Sequence, residues 1–362
     1  MIAISGGGTG GHFFPAYSVF KYFKEKNIPT IFIGSKNSIE AQFFEKDFFL
    51  FDIKKNVFLP KRLYSYIKIS KKIKQLLKEK NVKLVLGFGG YVSFPLYLAA
   101  YLLKIPIVIH EQNVLFGKAN KLFSRFAKKI FLGFPYFERK NIEDIDNKKF
   151  VWTSNPLRKE VEIYDKEDKN SLKEKLKIPP SKKVLLIYGG SQGALFLNEV
   201  FEYIASKSPN ILKEFFIIHI TGKNKGFFRL KNIYEKRNYD FLLFEFKENL
   251  GPYLKVADLV ISRAGALTVT EVCYFKKKTL FVPYPYAYKN HQYENIKPIL
   301  KKDLAKVFIQ TLKKEDKEKF LKTFKEFTNW SNTKKDEDIK DLETYILKNS
   351  KEIILKETLK IL

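Results

Sequence analysis

The sequence predicts two α/β domains, each built on a parallel β-sheet that helices cover on both faces. Its 362 residues exceed what one hydrophobic core usually supports, which indicates two domains. Short apolar segments alternate with longer segments of helical period, and this alternation starts again near residue 183. Both series begin with a strand that leads into a glycine-rich turn.

The first series contains five predicted strands, separated by lysine-rich segments of helical period. They lie at residues 1–5, 30–34, 84–87, 107–110 and 129–132. Alternation of this kind is typical of parallel sheets, because a crossover between parallel strands usually contains a helix. We therefore expect a first domain at residues 1–157.

The second series predicts a second domain at residues 158–336. Its strands are expected at residues 183–188, 215–221, 242–246, 259–262 and 279–283. A polar segment at 160–182 precedes them and is the expected linker. Apolar residues recur at helical spacing in the last segment, 337–362, which predicts one long helix that returns to the first domain.

Composition excludes several classes of protein. Apolar residues make up 45% and charged residues 29% of the chain, which excludes a disordered protein. Cys273 is the only cysteine, so the chain has no internal disulfide and no multi-cysteine metal site. No segment approaches the roughly 18 apolar residues of a membrane span, and the N-terminus lacks a signal-peptide pattern. We therefore expect a protein that stays inside the cell.

The chain carries 67 basic and 39 acidic residues, a formal net charge of +28. This excess favours a polyanionic partner, namely nucleic acid, anionic lipid or a phosphorylated substrate. The alternative is a lysine-rich composition that is unrelated to binding. The cations are spread along the whole chain and no known nucleic-acid-binding module is present, so we expect no nucleic-acid partner.

Residues 57–80 form a basic segment with eight basic residues and one acid, Glu79. One side of the predicted helix is apolar and contains Leu63, Tyr66, Ile67, Ile73, Leu76 and Leu77. Two interpretations remain open. The segment is either an ordinary sheet-covering helix with a lysine-rich solvent face or a helix that lies in the headgroup layer of an anionic membrane.

The two glycine-rich turns lie at residues 6–11, directly before His12, and at residues 189–193. Glycine permits positive φ and close approach of a ligand, and the helix that follows attracts anions at its N-terminus. Neither turn is a dinucleotide fingerprint or a Walker A loop, because no acidic residue stands near Ile33 and no Lys-Ser or Lys-Thr follows the glycines. One turn per domain predicts a ligand cleft between two facing Rossmann-like domains.

Seven short motifs follow one another from end to end of the chain. They are GGGTGGHFFPA at 6–16, GFGGYVSFP at 87–95, HEQN at 110–113, NPLR at 155–158, GGSQGA at 189–194, SRAGALTVTE at 262–271 and HQYEN at 291–295. In this order they resemble the signature motifs of the MurG family of bacterial glycosyltransferases. The resemblance implies the GT-B architecture, in which two Rossmann-like domains face each other across a cleft.

The resemblance also implies a reaction. It is the inverting transfer of N-acetylglucosamine from UDP-GlcNAc to undecaprenyl-pyrophosphoryl-N-acetylmuramyl-pentapeptide in peptidoglycan synthesis. The implied location is the cytoplasmic side of the cell membrane, where the protein would be peripheral. The implied partners are the two substrates, an anionic membrane surface and other cell-wall synthesis proteins. No cofactor is implied, and no bound metal is implied for the chemistry.

Two alternatives to this function remain. One is a related enzyme of the same broad fold, such as a UDP-GlcNAc epimerase or a glycolipid glycosyltransferase, and the other is a basic nucleic-acid-binding protein. Two Asp-x-Asp strings, at 144–146 and 336–338, bear on a metal site. Both lie in polar segments without a preceding apolar strand, so we expect them on the solvated surface.

The resemblance places the UDP-GlcNAc site in the second domain. Glu271 would hold the ribose hydroxyls, because a carboxylate accepts two hydrogen bonds from a vicinal diol. The alternative is an acid in a first helical turn, where it balances the helix dipole. Backbone N–H groups just before Glu271 would face the diphosphate, and the implied substrate-binding residues there are Ala266, Leu267, Thr268, Val269 and Thr270.

Four further residues are assigned to the donor by the resemblance. Ser191 would bind phosphate or cap the following helix. Arg158 would contact the nucleotide sugar, since guanidinium suits phosphate geometry, unless it is simply solvated. Gln292 would offer both a donor and an acceptor to the sugar hydroxyls, and Asn113 would reach the sugar from the first domain.

The acceptor side would contain His12, Thr9, Gly10, Gly11 and Tyr91. An inverting transfer needs a base, and histidine suits neutral pH, so His12 is the candidate catalytic residue. The alternative is a histidine that only binds the acceptor pyrophosphate or caps the helix. His110 is expected to be structural. The sequence departs from the family at Ser154, where a glycine is usual, and at Lys247, where an aliphatic residue usually contacts uracil.

Overall fold

The computed structural model describes residues 1–43, 45–54, 59–137, 139 and 142–362, and it describes residues 59–62 by their backbone alone. Residues 1–158 and 346–362 pack into one compact unit, and residues 159–345 pack into a second. Each unit has one parallel sheet with helices around it. The predicted α/β fold class is confirmed.

The first unit has a seven-stranded sheet in the order β3-β2-β1-β4-β5-β6-β7. The strands are β1 (Ile2–Ser5), β2 (Thr30–Ser35), β3 (Phe48–Phe51), β4 (Leu84–Gly87), β5 (Ile107–Glu111), β6 (Ala127–Leu132) and β7 (Phe150–Trp152). The helices before residue 158 are α1 (Gly10–Glu25), α2 (Leu59–Glu79), α3 (Gly90–Leu102) and α4 (Lys118–Phe123).

The central strands of this sheet are buried on both faces, as expected for a parallel sheet. On one face, Ile4 packs in a core with Phe20 of α1 and with Ile354 near the C-terminus. On the other face, Val85 packs in a core with Ile73 of α2 and Leu96 of α3. The sheet therefore holds its strand ends rigidly between two layers of helices.

The second unit has a six-stranded sheet in the order β10-β9-β8-β11-β12-β13. Its strands are β8 (Lys183–Tyr188), β9 (Phe215–Ile220), β10 (Asp240–Phe244), β11 (Leu259–Ser262), β12 (Lys278–Phe281) and β13 (Lys306–Val307). Its helices are α5 (Lys159–Glu162), α6 (Lys169–Lys175), α7 (Leu195–Lys207), α8 (Pro209–Lys213), α9 (Phe227–Lys236), α10 (Gly251–Val256), α11 (Ala266–Tyr274), α12 (His291–Lys301) and α13 (Asp316–Thr333).

Two segments differ from the sequence-based expectation. The expected polar linker at 160–182 contains α6, which begins where the Asp168 carboxylate accepts a hydrogen bond from Ser171 N at 2.8 Å. The expected single helix at 337–362 is wrong. A 3-10 segment, Glu337–Tyr345, belongs to the second unit, and α14 (Ser350–Leu359) packs against α1 in the first. Residues 346–349 between them are not helical, and Asn349, the N-cap residue of α14, has φ −94° and ψ 26°.

Helix α2 covers most of the basic segment at 57–80, whose residues 57 and 58 lie outside the described residues. Its residues Tyr66, Ile69, Ile73 and Leu77 are buried in the core of the first unit. The sheet-covering interpretation therefore holds for this part of the helix. Among the described residues, no helix combines the length and the apolar character needed to cross a membrane.

Candidate active site

Three neighbouring strands bring the residues predicted for the first domain to one edge of its sheet. Strand β1 leads into the glycine turn and His12, β4 leads into Tyr91, and β5 leads into Gln112 and Asn113. Because the carboxyl ends of parallel strands meet at the same edge, motifs that are distant in sequence lie side by side there. The candidate site of this unit is built at that edge.

The first glycine turn packs so closely that only glycine fits. Gly8 has φ +83°, and a Cβ there would lie 2.3 Å from the Tyr91 ring. A Cβ on Gly7 would lie 1.6 Å from Glu40 Oε1. Thr9 is the exposed N-cap residue of α1, and Gly11 is also exposed. The start of α1 is therefore accessible at Thr9 and Gly11, whereas Gly10 is buried. Binding of an anion there stays a prediction.

Glu40 is a buried carboxyl group against this turn that the motifs did not identify. Its Oε1 accepts a hydrogen bond from Gly8 N at 3.2 Å, and its Oε2 accepts one from the Ser38 hydroxyl. Burial raises the pKa of Glu40 above its usual value. Glu40 therefore holds the glycine turn in place through the backbone. Its segment carries no motif, so only the fold reveals this role.

A chain of hydrogen bonds connects His12 with His110. His12 Nδ1 lies 2.7 Å from Gln112 Oε1 and 3.0 Å from the Phe88 carbonyl oxygen. Gln112 Nε2 lies 3.0 Å from His110 Nδ1 and donates to the His110 carbonyl oxygen at 2.9 Å. His110 Nε2 lies 3.0 Å from the Ser154 carbonyl oxygen. The buried His110 is thus a structural residue that reaches His12 through Gln112.

Glu111 shapes the loop that carries Asn113. It is fully buried, and its oxygens accept hydrogen bonds from Asn113 N at 3.1 Å, Gly117 N at 2.9 Å and Asn120 Nδ2 at 2.9 Å. A buried carboxylate with several donors is stable without a cation because its lone pairs are satisfied. The carboxylate therefore fixes the backbone position from which Asn113 extends.

Ser154 has the backbone conformation that explains why a glycine is usual there. Its φ is +64°, in the left-handed region that disfavours side chains. Its hydroxyl is buried without a hydrogen-bond partner among the described residues. Its carbonyl accepts from His110 and also from the Ser350 hydroxyl at 3.2 Å, so the strained residue fixes both neighbours.

Arg158, which ends the NPLR motif, stacks on the first unit. Its guanidinium carbon lies 4.4 Å from the centre of the Phe14 ring, so the side chain is held against α1. This contact argues against a merely solvated side chain. Contact with a nucleotide sugar stays a prediction.

Protonation of buried histidines should destabilise the protein in acid. Burial lowers the pKa of His110 to about 4 and that of His219 to about 3, from 6.5. Both are therefore neutral in the folded chain but charged in the unfolded chain below about pH 6.5. The free energy of unfolding should fall by about 3 kcal/mol for His110 alone as the pH drops from 6.5 to 4, measured by denaturant titration.

The control for this pH dependence uses the two histidines of the second unit. His219→Gln should flatten the fall in stability, because the buried imidazole is gone. His291→Gln should not, because His291 lies in an exposed contact with Tyr288. Equal slopes in both variants and the parent chain would contradict the assignment.

In the second unit, Glu271 lies within α11, beyond the first turn of the helix. The helix begins at Ala266, and the N–H of Val269 donates to the Gly265 carbonyl at 2.9 Å. The preceding helical N–H groups, at residues 266–268, point out of the helix end. The first turn contains no acidic residue, and Glu271 is the sixth residue of α11. Balancing the helix dipole therefore does not explain Glu271.

Tyr188 lies near Glu271 and, like Glu40, belongs to none of the motifs. It ends β8, is fully buried, and its hydroxyl has no hydrogen-bond partner within the described residues. Burial and the nearby negative charge of Glu271 raise its pKa well above 10. Tyr188 therefore stays neutral and adds no negative charge next to the Glu271 carboxylate.

Ser191 lies in the second glycine turn and is exposed. The N-cap residue of α7 is Ala194, so the expected capping role for Ser191 is wrong. The reason is the turn itself. Gly193 has φ +66° and packs on Gly222, which delays the start of the helix. An exposed hydroxyl at the strand end remains suited to a phosphate.

The Gln292 side chain can offer a sugar hydroxyl its amide NH2 group. The sequence suggests that the amide oxygen would take part as well, but the structure uses that oxygen elsewhere. Its carbonyl Oε1 accepts hydrogen bonds from Tyr284 N at 2.8 Å and from Ala264 N at 3.3 Å. These bonds tie α12 to the loop that precedes α11. The Nε2 group is therefore the part of the amide that remains for a sugar hydroxyl.

Lys247 lies beyond the end of β10, which ends at Phe244 and not at residue 246 as predicted. Its ammonium lies 4.1 Å from the Phe244 ring centre and 5.8 Å from that of Tyr253. A cation over aromatic faces is attracted to them. The lysine therefore folds back onto its own unit.

The Asp-x-Asp strings lie in surface contacts. Asp144 pairs with Arg125 at 2.9 Å, and Asp146 accepts from Lys148 N at 2.9 Å. Asp336 pairs with Lys278 at 3.6 Å, and its side chain is 94% exposed. Across the described part of the chain, no group of three or more His, Cys, Asp and Glu residues is placed to hold a metal ion.

Comparisons with known proteins place the chain in one family. Residues 2–132 match the glycosyltransferase family 28 N-terminal domain, and residues 184–349 match the family 28 C-terminal domain. A relative from Aquifex aeolicus is 38% identical over 88% of this chain and 89% of its own length. One from Campylobacter jejuni is 35% identical over 85% of both chains. Both are named UDP-N-acetylglucosamine–N-acetylmuramyl-(pentapeptide) pyrophosphoryl-undecaprenol N-acetylglucosamine transferase.

Solved structures agree with this placement. Acinetobacter baumannii MurG superimposes with a TM-score of 0.75 and 26% identity, covering 99% of both chains. The UDP-GlcNAc 2-epimerase of Neisseria meningitidis superimposes with a TM-score of 0.63 at 16% identity, covering 99% of this chain and 100% of its own, which shows a shared fold alone. The GT-B fold class that the sequence predicts is confirmed. The chain belongs to the MurG family, a group of glycosyltransferases built from the two family 28 domains.

Proposed function

We propose that the chain transfers N-acetylglucosamine from UDP-GlcNAc to undecaprenyl-pyrophosphoryl-N-acetylmuramyl-pentapeptide. The observation that carries this proposal is that relatives named for this reaction align with 85–92% of the chain at 33–38% identity. Both glycine turns and both sets of strand-end residues lie within the aligned family domains.

The second unit would bind the donor. Glu271 would accept hydrogen bonds from the ribose hydroxyls, and the N-terminus of α11 would face the diphosphate. Ser191 would add a hydroxyl to the phosphates, and Gln292 Nε2 would donate to the sugar. The resemblance also assigns Arg158 and Asn113 of the first unit to the donor sugar.

The first unit would bind the acceptor, with Thr9, Gly10, Gly11 and Tyr91 around it and His12 as the base. The acceptor hydroxyl oxygen attacks the anomeric carbon while His12 takes its proton, and the bond to the UDP oxygen breaks with inversion. The leaving diphosphate gains negative charge in this step. Helix N-termini stabilise such charge because their N–H groups are already oriented toward it.

Turnover of purified chain tests the proposal. With UDP-GlcNAc and lipid-linked N-acetylmuramyl-pentapeptide, the chain should release UDP and form a lipid-linked disaccharide. Without acceptor, it should not convert UDP-GlcNAc to its 2-epimer. Epimer formation and no disaccharide would contradict the proposal in favour of the epimerase alternative.

The reaction should not depend on a free divalent cation. Phosphate charge would be met by α11 and by Ser191, so turnover in excess EDTA should remain within about twofold of the untreated rate, which corresponds to well under 1 kcal/mol. The initial rate of UDP release, measured with and without added magnesium, checks this. Loss of turnover that magnesium restores would contradict it.

We further propose that the first unit attaches to an anionic membrane. Its support is a set of exposed apolar side chains on helices that pack side by side, α2 with α3 and α3 with α4. These residues are 42–70% exposed and comprise Leu63, Tyr64, Ile67, Tyr101, Leu102, Leu122 and Phe126. Lys68, Lys71 and Lys72, which are exposed on α2, add positive charge.

Vesicle binding tests this attachment. Changing Leu63, Tyr64 and Ile67 together to Ser should weaken sedimentation with vesicles of anionic phospholipid at least tenfold, because their apolar area no longer enters the headgroup layer. Phe228→Ser is the matched control, because Phe228 is 81% exposed but lies in the second unit. An equal loss in both variants, or none in the triple variant, would contradict the proposal.

A further inference from the structure

We propose that Gln112 and His110 are positioning residues that hold His12 in the tautomer with its proton on Nδ1. The Nε2 lone pair would then be the one that accepts the proton of the acceptor hydroxyl. This inference rests on the proposed function, and it gives a role to two residues of the HEQN motif.

The buried end of the chain of hydrogen bonds fixes the position of the first proton. The Ser154 carbonyl oxygen, 3.0 Å from His110 Nε2, can only accept, so His110 Nε2 must carry a proton. His110 is fully buried and burial lowers its pKa to about 4, so the ring is neutral near pH 7. His110 Nδ1 therefore carries a lone pair.

The orientation of the Gln112 amide follows from two acceptors. The His110 carbonyl oxygen and His110 Nδ1 lie 2.9 and 3.0 Å from the same amide atom, so that atom is the NH2 group. The amide oxygen consequently points to His12. The backbone carbonyl oxygen of His110 requires this orientation of the amide by itself, whichever nitrogen of the His110 ring carries the proton.

His12 Nδ1 then faces two groups that can only accept. They are Gln112 Oε1 at 2.7 Å and the Phe88 carbonyl oxygen at 3.0 Å. A lone pair on Nδ1 would face the lone pairs of both oxygens and be repelled by them, so the proton lies on Nδ1. Nε2 then carries the lone pair that can act as a base. When Nε2 takes a proton, the Nδ1–H bond to Gln112 remains, and the neutral amide has no tendency to accept a proton itself.

A similar arrangement in the second unit shows what distinguishes His12. His219 Nε2 lies 3.0 Å from Asn198 Oδ1, and its Nδ1 lies 3.0 Å from the Tyr234 hydroxyl. Both ring nitrogens of that buried histidine are occupied. In His12 the structure gives hydrogen bonds for Nδ1 alone, and the ring is partly exposed.

Nitrogen-15 NMR of histidine-labelled protein tests the tautomer, because the chain has four histidines and their signals can be assigned by substitution. At a pH where His12 is neutral, its proton should be on Nδ1, and that of His110 should be on Nε2. A neutral His12 with its proton on Nε2 would overturn the proposal.

Two variants separate positioning from mere packing. Gln112→Met has a similar shape without the acceptor, so His12 should populate both tautomers and turnover at saturating acceptor should fall about tenfold, with the acceptor KM nearly unchanged. Gln112→Glu keeps an acceptor for Nδ1–H and should retain the Nδ1–H tautomer, but it loses the amide donor to the His110 carbonyl oxygen and should be less stable. A Gln112→Met variant with the parent tautomer and turnover would overturn the proposal.

The control is His219→Gln. It removes an imidazole of the second unit that is as buried as that of His110, and it should leave the His12 signals unchanged. The turnover of His12→Ala distinguishes a failure of the base assignment from a failure of the positioning role of Gln112. If His12→Ala keeps normal turnover while Gln112→Met still changes the tautomer, the base assignment fails and the structural part of the inference stands. If neither tautomer nor turnover responds to Gln112, the inference fails by itself.

Discussion

Replacing His12 by Ala should lower turnover at saturating acceptor at least 100-fold. A general base contributes about 10²–10⁴-fold to the rate, whereas a residue that only binds the acceptor acts mainly through KM. His12 stands at the end of the first glycine turn with its Nδ1 engaged by Gln112 and Phe88. Steady-state rates over a range of acceptor concentrations would separate kcat from KM.

The affinity for UDP should be nearly unchanged in this variant, because the proposed nucleotide-binding residues belong to the second unit. His12→Gln is the sharper control. Glutamine can still donate a hydrogen bond to an acceptor phosphate but cannot serve as a base, so it should be as slow as alanine. Recovery of turnover by glutamine, or a change in the acceptor KM alone, would reduce His12 to a binding residue.

The architecture could be predicted where strands are fully buried and followed by a turn. The bounds of β4, β8 and β11 match the expected segments, since each contains an uninterrupted apolar run of at least three residues. Strands β3, β7 and β13 were missed. They are edge strands of only four, three and two residues. Strands β3 and β7 are apolar, but a run this short does not distinguish a strand from a loop or a buried helical segment. The break in the C-terminal helix lies at residues 346–349, where apolar spacing continues although the backbone leaves helical geometry.

The site could be predicted only as far as motifs mark it. His12 follows the first glycine turn after β1, and Glu271 ends the SRAGALTVTE motif after β11. The parallel topology then brings such positions to the carboxyl edge of each sheet. The carboxyl group of Glu40 reaches the turn at Gly7 from a segment without a motif. The direction of the Gln292 amide and the hydrogen bonds of Gln112 depend on distances between atoms, which spacing along the chain does not contain.

Replacing Glu271 by Gln should weaken UDP binding about 10- to 150-fold, or roughly 1.5–3 kcal/mol, while the fold remains intact. The carboxylate would accept two hydrogen bonds from the ribose diol, and the amide retains only one oxygen without charge. Titration calorimetry with UDP measures the loss. Glu294→Gln is a matched control, because Glu294 lies in the first turn of α12 in the same unit and pairs with Lys297.

A second ligand makes the test specific for the ribose. In the parent chain, UDP without its 2′ and 3′ hydroxyls should bind more weakly than UDP by a similar factor. In the Glu271→Gln variant the two ligands should differ much less, because the carboxylate that distinguishes them is gone. If the variant binds UDP as the parent does, or if removing the hydroxyls costs the same in both proteins, Glu271 does not hold the ribose. The N–H groups at the N-terminus of α11 would then account for nucleotide binding through the diphosphate alone.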